Sequence, residues 1–470
     1  MSVLQVFILA GVAILVNLLR NGRSLVLMGV SALAIYWLQP WQQPVNLTFW
    51  FPTLTLALVV VFWMITSAPE ARDWKHNLGA VVILLVTVIL VDLNRYIKIE
   101  EIFITDTPRV QAVIVALLGV GSIVFVLAYI KKLPPLWYGF AIVGLIVMLV
   151  FLKAPSVWEN AFRIVAEIRG KEPAGVPVIS WLGFSYVAFR LMHTALDRLA
   201  GRLPAVTLPE YVNYVIFFPS FTAGPIERLE RFVRNTAEPI RLDSNGWVEA
   251  GTRLFRGLFK KFVIADGLAW FALSDFLVPG VQSVGWTWIL LYAYSLRIYF
   301  DFSGYTDIAI GLAMLMGIRL PENFNAPYLK PNITQFWNSW HITLTQWFRS
   351  YFFNPLVRMM RSTEKPLQQW LMIFFAQAST MMLIGLWHGM TPGFLLWGLW
   401  HGLGLFIHNR WSEWTRSRLP AWVKTGKGEA VLRYSGVFLT FHYVTVGWLF
   451  FFLPDPATAW GTLLRLFGAA

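Results

Sequence analysis

Three histidines stand where few charged groups surround them. His388 and His401 each occupy a Trp-His-Gly triplet, thirteen residues apart, in the uncharged stretch MMLIGLWHGMTPGFLLWGLWHGLG at 381–404. His341 lies in NAPYLKPNITQFWNSWHITLTQWFRSYFFNPL. An imidazole exchanges its proton near neutrality, with an unperturbed pKa of about 6.5. An ionisable group inside a membrane is costly, which makes function the default hypothesis for it. A neutral histidine costs far less than a carboxylate, so packing and local hydrogen bonding compete with proton transfer at each position.

The contexts differ. From Ile333 onward the pattern predicts one helix with Thr334, Trp337, His341 and Thr345 near one face. Phe336, Trp337, Trp340, Trp347 and Phe348 crowd it more densely than packing alone requires, and Arg349 either holds an anionic group or marks a helix end at the interface. His388 follows the apolar run MIFFAQASTMMLIGL and precedes Gly389-Met390-Thr391-Pro392-Gly393, which predicts a helix end at a turn. Glycine there permits close approach of backbone or substrate. No HxxxH or HxxE spacing and no nearby carboxylate accompanies the three, so no metal site is expected.

Elsewhere, His76 in ARDWKHN reads as a solvated loop residue, and His408 and His442 as packing residues. Arg190, His193 and Asp197 share one helical face and read as an interior polar network or a helix end near the cytosol. The segment DFSGYTD carries Asp301, Ser303, Tyr305 and Asp307, which either serve a site or satisfy backbone at a broken helix. There is no G-x-S-x-G, and FTAGPIERL is not a phosphate loop. The chain has no cysteine, so acyl transfer through a cysteine thioester is impossible within it.

The elements that must position these groups are membrane helices. The chain is 57% hydrophobic and 13% charged, against about 25% charged in soluble domains. Runs such as WFPTLTLALVVVFWMI and VQAVIVALLGVGSIVFVLAYI approach the roughly 20 apolar residues of a spanning helix. The expected fold is an all-α polytopic membrane protein with roughly a dozen transmembrane or re-entrant helices. The first run lacks a charged leader and a cleavage site and reads as a retained helix. The net charge of +13 gathers at helix ends, which speaks for topology and against nucleic acid. Arg20 and Arg23, Lys131 and Lys132, Arg228, Arg231, Arg234 and Arg241, and Arg410, Arg416, Arg418, Lys424 and Lys427 mark cytoplasmic ends. The uncharged loop QPWQQPVN and both termini then lie outside. Near residue 175 the character changes, predicting a peripheral lipid-facing bundle over 1–175 and a polar-lined core over 176–470, integrated into one membrane domain.

Six blocks over residues 223–402 carry a resemblance: AGPIERLERF, GLFKKFVIADGL, YFDFSGYTDIAIGLAMLMGIRLPENFNAPY, FWNSWHITLTQWFR, GLWHG and WGLWHG. Their order resembles the membrane-bound O-acyltransferases (MBOAT), in particular the bacterial branch of the alginate O-acetyltransferase membrane subunit and the D-alanyl transfer protein of teichoic acid synthesis. The C-terminal GWLFFFLPDPATAW is similar too, whereas the first 175 residues match only in hydropathy and NPLVRMM replaces the family's Pro-Leu-Gly-Gly run. The resemblance implies helices around a central funnel and transfer of a small acyl group across a bacterial inner membrane. It implies His388 and His341 as catalytic residues, with His388 as general base and His341 positioning or polarising a reacting oxygen. His401, Trp337, Trp340, Asn338, Trp387, Arg349, Asp301 and Ser303 would support them. The donor implied is acetyl-CoA, with no permanently bound cofactor. The acceptor is an extracytoplasmic glycan or a periplasmic acetyltransferase partner, and membrane lipids surround the protein. D-alanyl transfer to teichoic acid and a flippase for a lipid-linked glycan are the alternatives, although a transporter's usual internal repeats are missing.

Overall fold

A computed structural model of the chain describes residues 1–19, 21–41, 46–97, 107–130, 133–168, 179–274, 277–415, 418 and 425–469. Arg20, Lys131, Lys132, Arg416, Lys424, part of the QPWQQPVN loop and the boundary near residue 175 lie outside the described residues. Every regular element among the described residues is helical, and the chain is an all-α polytopic membrane protein. Six of those helices are long and apolar enough to span a membrane: Leu47–Thr66, Trp74–Ile97, Val110–Tyr129, Pro135–Lys153, Gln369–His388 and Gly426–Phe452. Val3–Leu18 and Arg23–Trp37 are apolar but shorter. Val284–Leu315 and Pro392–Thr415 have the length, 32 and 24 residues, but interleave polar side chains with the apolar ones.

The chain groups into two compact units, Met1–Phe255 with Asp307–Leu320, and Arg256–Thr306 with Pro321–Ala470. In the first unit, Val110–Tyr129 and Pro135–Lys153 leave most of their apolar surface uncovered by protein, with only 6% and 11% of their spanning windows buried, as lipid-facing helices do. Leu47–Thr66, at 61%, is an interior helix of this unit. Leu208–Ile216 begins with a capping box between Thr207 and Glu210 and a proline in its first turn. At its other end Arg190 donates to the Val215 carbonyl (2.7 Å), one that the helix end leaves unbonded, and to the Ser220 carbonyl (3.0 Å) and hydroxyl (2.8 Å) in the turn beyond. His193 Nε2 lies 2.9 Å from Asp197, which also takes Arg202 at 2.8 Å. This is the interior polar network expected of the Arg190, His193, Asp197 face. His76 is solvated as expected, but it sits in the first turn of Trp74–Ile97 beside Asp73 rather than in a loop.

In the second unit, Gln369–His388 and Pro392–Thr415 form a tight hairpin. A side chain at Gly398 would come within 2.5 Å of the Met381 carbonyl, and one at Gly402 within 2.9 Å of the Ala378 Cα; at Gly385 it would collide with the Phe394 carbonyl. Small residues thus bring two backbones together where the surrounding hydrocarbon offers no hydrophobic drive. Two expectations need correction here. Val284–Leu315 runs unbroken through DFSGYTD; its carboxylates are met by cations, Lys261 Nζ to Asp301 at 2.5 Å in this unit and Arg253 to Asp307 at 2.6 Å within the other, so the helix need not open. Conversely, the helix predicted from Ile333 through His341 is interrupted. Ile333–Trp337 ends at Asn338, and Ile342–Phe348 begins after His341. The ladder stops because the Ile342 N–H bonds to the Asn323 carbonyl (3.0 Å) instead of the carbonyl one turn behind it.

Candidate functional site

His341, His388, His401 and the residues expected to support them all fall within the second unit, while Asp307 of the DFSGYTD segment belongs to the first, so the site can be built from the second unit's elements alone. His341 sits at the break just described, with φ 43° and ψ 54°. A non-glycine residue in the left-handed region costs on the order of 1–3 kcal/mol, and such strain gathers at functional sites. Its side chain is buried, and its Nε2 has no hydrogen-bond partner among the described residues. The Phe302 ring meets the imidazole edge to face, with centroids 4.6 Å apart, and Trp387 lies at 6.1 Å.

His388 is the last residue of Gln369–His388, as the sequence predicts, and Gly389 beyond it is extended. Its ring is half-buried in an aromatic enclosure, 4.7 Å from Trp387, 4.9 Å from Phe451, 5.6 Å from Trp397 and 6.0 Å from Phe394. Trp387 therefore touches both His341 and His388, one indole joining an interrupted helix to a helix end. Gly389 beside it is buried, and a side chain there would come within 2.5 Å of the Phe394 ring, so the glycine lets that ring close against the helix end.

His401 is different. It lies in the middle of Pro392–Thr415, nine residues after the helix begins at Pro392. It is fully buried. The Trp337 indole N–H donates to its Nδ1 at 3.3 Å, and Trp397 packs on it at 4.9 Å. A side chain on Gly447 would meet its Nε2 at 2.9 Å. Its surroundings are protein on each of these sides.

The other candidates divide. Asn338 accepts from Arg349 at 2.7 Å. Both line a cavity of about 130 Å³ with Trp337, Thr345, Gln377 and Ile384. Of these, Trp337 and Thr345 stand four residues before and after His341, and Ile384 four before His388. Trp340 packs against Phe324, Phe336 and Trp448, at 5.2, 5.6 and 5.2 Å, and these rings continue through Phe302 to His341 and through Phe451 to His388. Asp301 is half-exposed and bound to Lys261. Ser303 is buried with its hydroxyl unpartnered among the described residues. His408 bonds to Thr334 at 2.9 Å, and His442 to Tyr292 at 2.8 Å, which are packing roles. No group of three histidine, aspartate or glutamate side chains among the described residues is arranged to hold a metal ion.

Phe302, Trp397 and Phe451 were not singled out from the sequence. Phe302 stands between Asp301 and Ser303, whose polarity drew attention to that segment, and Trp397 lies four residues before His401. Nothing local marks Phe451.

The chain is similar to several known proteins. A "probable alginate O-acetylase" of Azotobacter vinelandii is 33% identical over 340 residues, covering 70% of this chain and 62% of that protein. A "peptidoglycan O-acetyltransferase" of Helicobacter pylori is 30% identical over 393 residues, 74% of this chain and 69% of that protein. A "teichoic acid D-alanyltransferase" of Bacillus subtilis (strain 168) is 28% identical over 284 residues, 58% of this chain and 69% of that protein. The chain thus spans less than two thirds of the alginate relative and little more than that of the other two. The family model for MBOAT, the membrane-bound O-acyltransferase family, matches residues 47–453, which takes in both interrupted-helix and helix-end histidines. The chain belongs to the membrane-bound O-acyltransferase family.

Proposed function

We propose that this acyltransferase moves an acetyl group from a cytoplasmic thioester, acetyl-CoA, to a hydroxyl of an extracytoplasmic glycan or of a partner that passes it on, in a bacterial inner membrane. The observation that carries the reading is the pair His341 and His388 against one indole, with the Nε2 of His341 buried and unpartnered. His388 takes the proton of the acceptor hydroxyl as its oxygen attacks the thioester carbonyl. The carbon–sulfur bond breaks, and the proton ends on the departing thiolate. His341, in the tautomer with hydrogen on Nε2, donates to the carbonyl oxygen as charge develops there. A thioester is already activated, so holding both reactants in a dry enclosure supplies much of the remaining acceleration. Arg349, anchored by Asn338 at the cavity wall, is suited to an anionic part of the donor.

The relatives named as O-acetylating enzymes support acetyl as the group carried. The relatives named as D-alanyltransferases keep D-alanyl transfer as the second reading. The test is turnover of acetyl-CoA by the purified protein with alginate or peptidoglycan oligosaccharides. Because the chain has no cysteine, a thiol-reactive dye reads released CoA without background from the protein. Thiol release matched by O-acetyl on the oligosaccharide supports the reading. Turnover of a D-alanyl thioester but not of acetyl-CoA would replace it with the second, and turnover of neither would leave it without support.

A further inference from the structure

The helix that starts at Ile342 has a capping problem. The first N–H groups of any helix lack acceptors within it, and the residue just before the helix ordinarily supplies one from its side chain. Here that residue is His341, and its imidazole makes no capping bond. The acceptors come instead from Asn323, which is fully buried in the connection after Val284–Leu315. Its backbone carbonyl takes the Ile342 N–H at 3.0 Å. Its side-chain Oδ1 takes the Thr343 N–H at 3.1 Å and the Thr343 hydroxyl at 2.8 Å. Two residues on, the Asn325 N–H donates to the Ser339 carbonyl at 3.0 Å. The chain is therefore gripped on both sides of His341.

We propose that Asn323 is a positioning residue for the acyl transfer: by capping the Ile342–Phe348 helix from a distant loop, it holds His341 in its left-handed backbone and releases the imidazole from capping duty to serve the reaction. The proposal rests on the role given above to His341. An asparagine suits the task because one side chain accepts both bonds without bringing a charge. Its Nδ2 is buried and has no partner among the described residues, so the acceptor oxygen is what the surrounding protein uses. Asn323→Asp keeps an acceptor oxygen at that place whether or not the buried carboxyl ionises. Asn323→Ala removes it.

The test measures acetyl-CoA turnover with alginate oligosaccharides by detergent-purified full-length protein, alongside NMR of protein labelled at histidine Cε1. A displacement of about 1 Å at a reacting group costs on the order of 100-fold, so Asn323→Ala should lower kcat about 100-fold with KM for acetyl-CoA changed less than about threefold. Asn323→Asp should recover kcat to within about tenfold of the parent. Placed on His341→Ala, the same Asn323→Ala should cost less than about twofold more, because the two act as one unit. In the NMR spectrum Asn323→Ala should move the His341 signal, identified by its loss in His341→Ala, and leave that of His76 in place. A folded Asn323→Ala with parental kcat, a loss confined to KM, a multiplicative loss on His341→Ala, or an unmoved His341 signal would each overturn the proposal. Should Asn323→Ala not fold, Thr343→Val removes one of the two donors to the Asn323 Oδ1 and is expected to lower kcat about tenfold; parental kcat there would reduce Asn323 to a folding residue. If His341→Ala itself keeps parental activity, the role of His341 fails first, a result distinct from any of these, while the NMR shift still reports the grip.

Discussion

The Trp337 indole N–H donates to His401 Nδ1 across 3.3 Å, which fixes the hydrogen of a neutral His401 on Nε2, the atom facing Gly447. The second Trp-His-Gly is thereby an interhelical contact. His401→Ala should act through stability: removing a buried ring of this size costs about 2–5 kcal/mol, so folded yield and thermal midpoint fall while the kcat of the folded fraction stays within about tenfold. Gly447→Ala, which pushes a methyl toward His401 Nε2 and the Trp400 ring, should destabilise in the same way. A dead but fully stable His401→Ala, measured by turnover and thermal unfolding on the same sample, would hand the chemistry to the wrong triplet.

The hairpin that carries both triplets depends on its glycines. A methyl added at Gly398 would lie 2.5 Å from the Met381 carbonyl oxygen, a backbone atom that cannot rotate away. Gly398→Ala is expected to force the helices apart at about 1–3 kcal/mol and to shift His388 relative to Pro392–Thr415, lowering both thermal midpoint and kcat. Gly461→Ala, where nothing lies within 4 Å, is the control and should leave both unchanged. Equal behaviour of the two variants would remove close helix contact as the reason for Gly398.

Much of this was legible from the sequence, and the gaps have physical causes. His388 at a helix end could be read because glycine, threonine and proline follow it directly in the chain. The break at His341 could not. ITQFWNSWHITLTQ keeps helical periodicity throughout, and the atom that ends the ladder, the Asn323 carbonyl, comes from another segment. At DFSGYTD one of the two readings, an opened helix, falls for the same reason: Lys261 and Arg253 arrive from elsewhere to neutralise its carboxylates. Likewise the two triplets look alike until Trp337 is found bonded to the second. Periodicity reports which face is apolar, while tertiary partners decide which polar atom is already satisfied.

Orientation in the membrane remains a prediction from charge. Arg231 and Arg234 lie on the short Leu229–Ala237 helix, with Arg228 just before it and Arg241 beyond it, and Arg410, Arg418 and Lys427 belong to the other basic stretch. Both are expected in the cytoplasm. Single cysteines introduced at Asn235 and at Lys427 into this cysteine-free chain should resist a membrane-impermeant maleimide in intact cells and react once the membrane is opened. Labelling of either from outside would reverse the direction of transfer.

In the proposed mechanism His341 and His388 carry the chemistry, and they should separate from His401 in kind. General-base catalysis contributes about 100- to 10,000-fold, so His388→Ala should lose that much kcat while remaining folded, since its ring is half-buried at a helix end. His341→Ala removes a buried ring held at a strained turn and should combine a comparable kcat loss with some change in KM, because positioning a carbonyl oxygen affects binding as well as the transition state. The double variant should be little worse than the more damaged single one, as expected for groups that serve one step. Rates of CoA release and O-acetyl transfer, normalised to folded protein, measure all three. Independent, multiplicative losses would mean that the two imidazoles on either side of Trp387 do not act on the same reacting atoms.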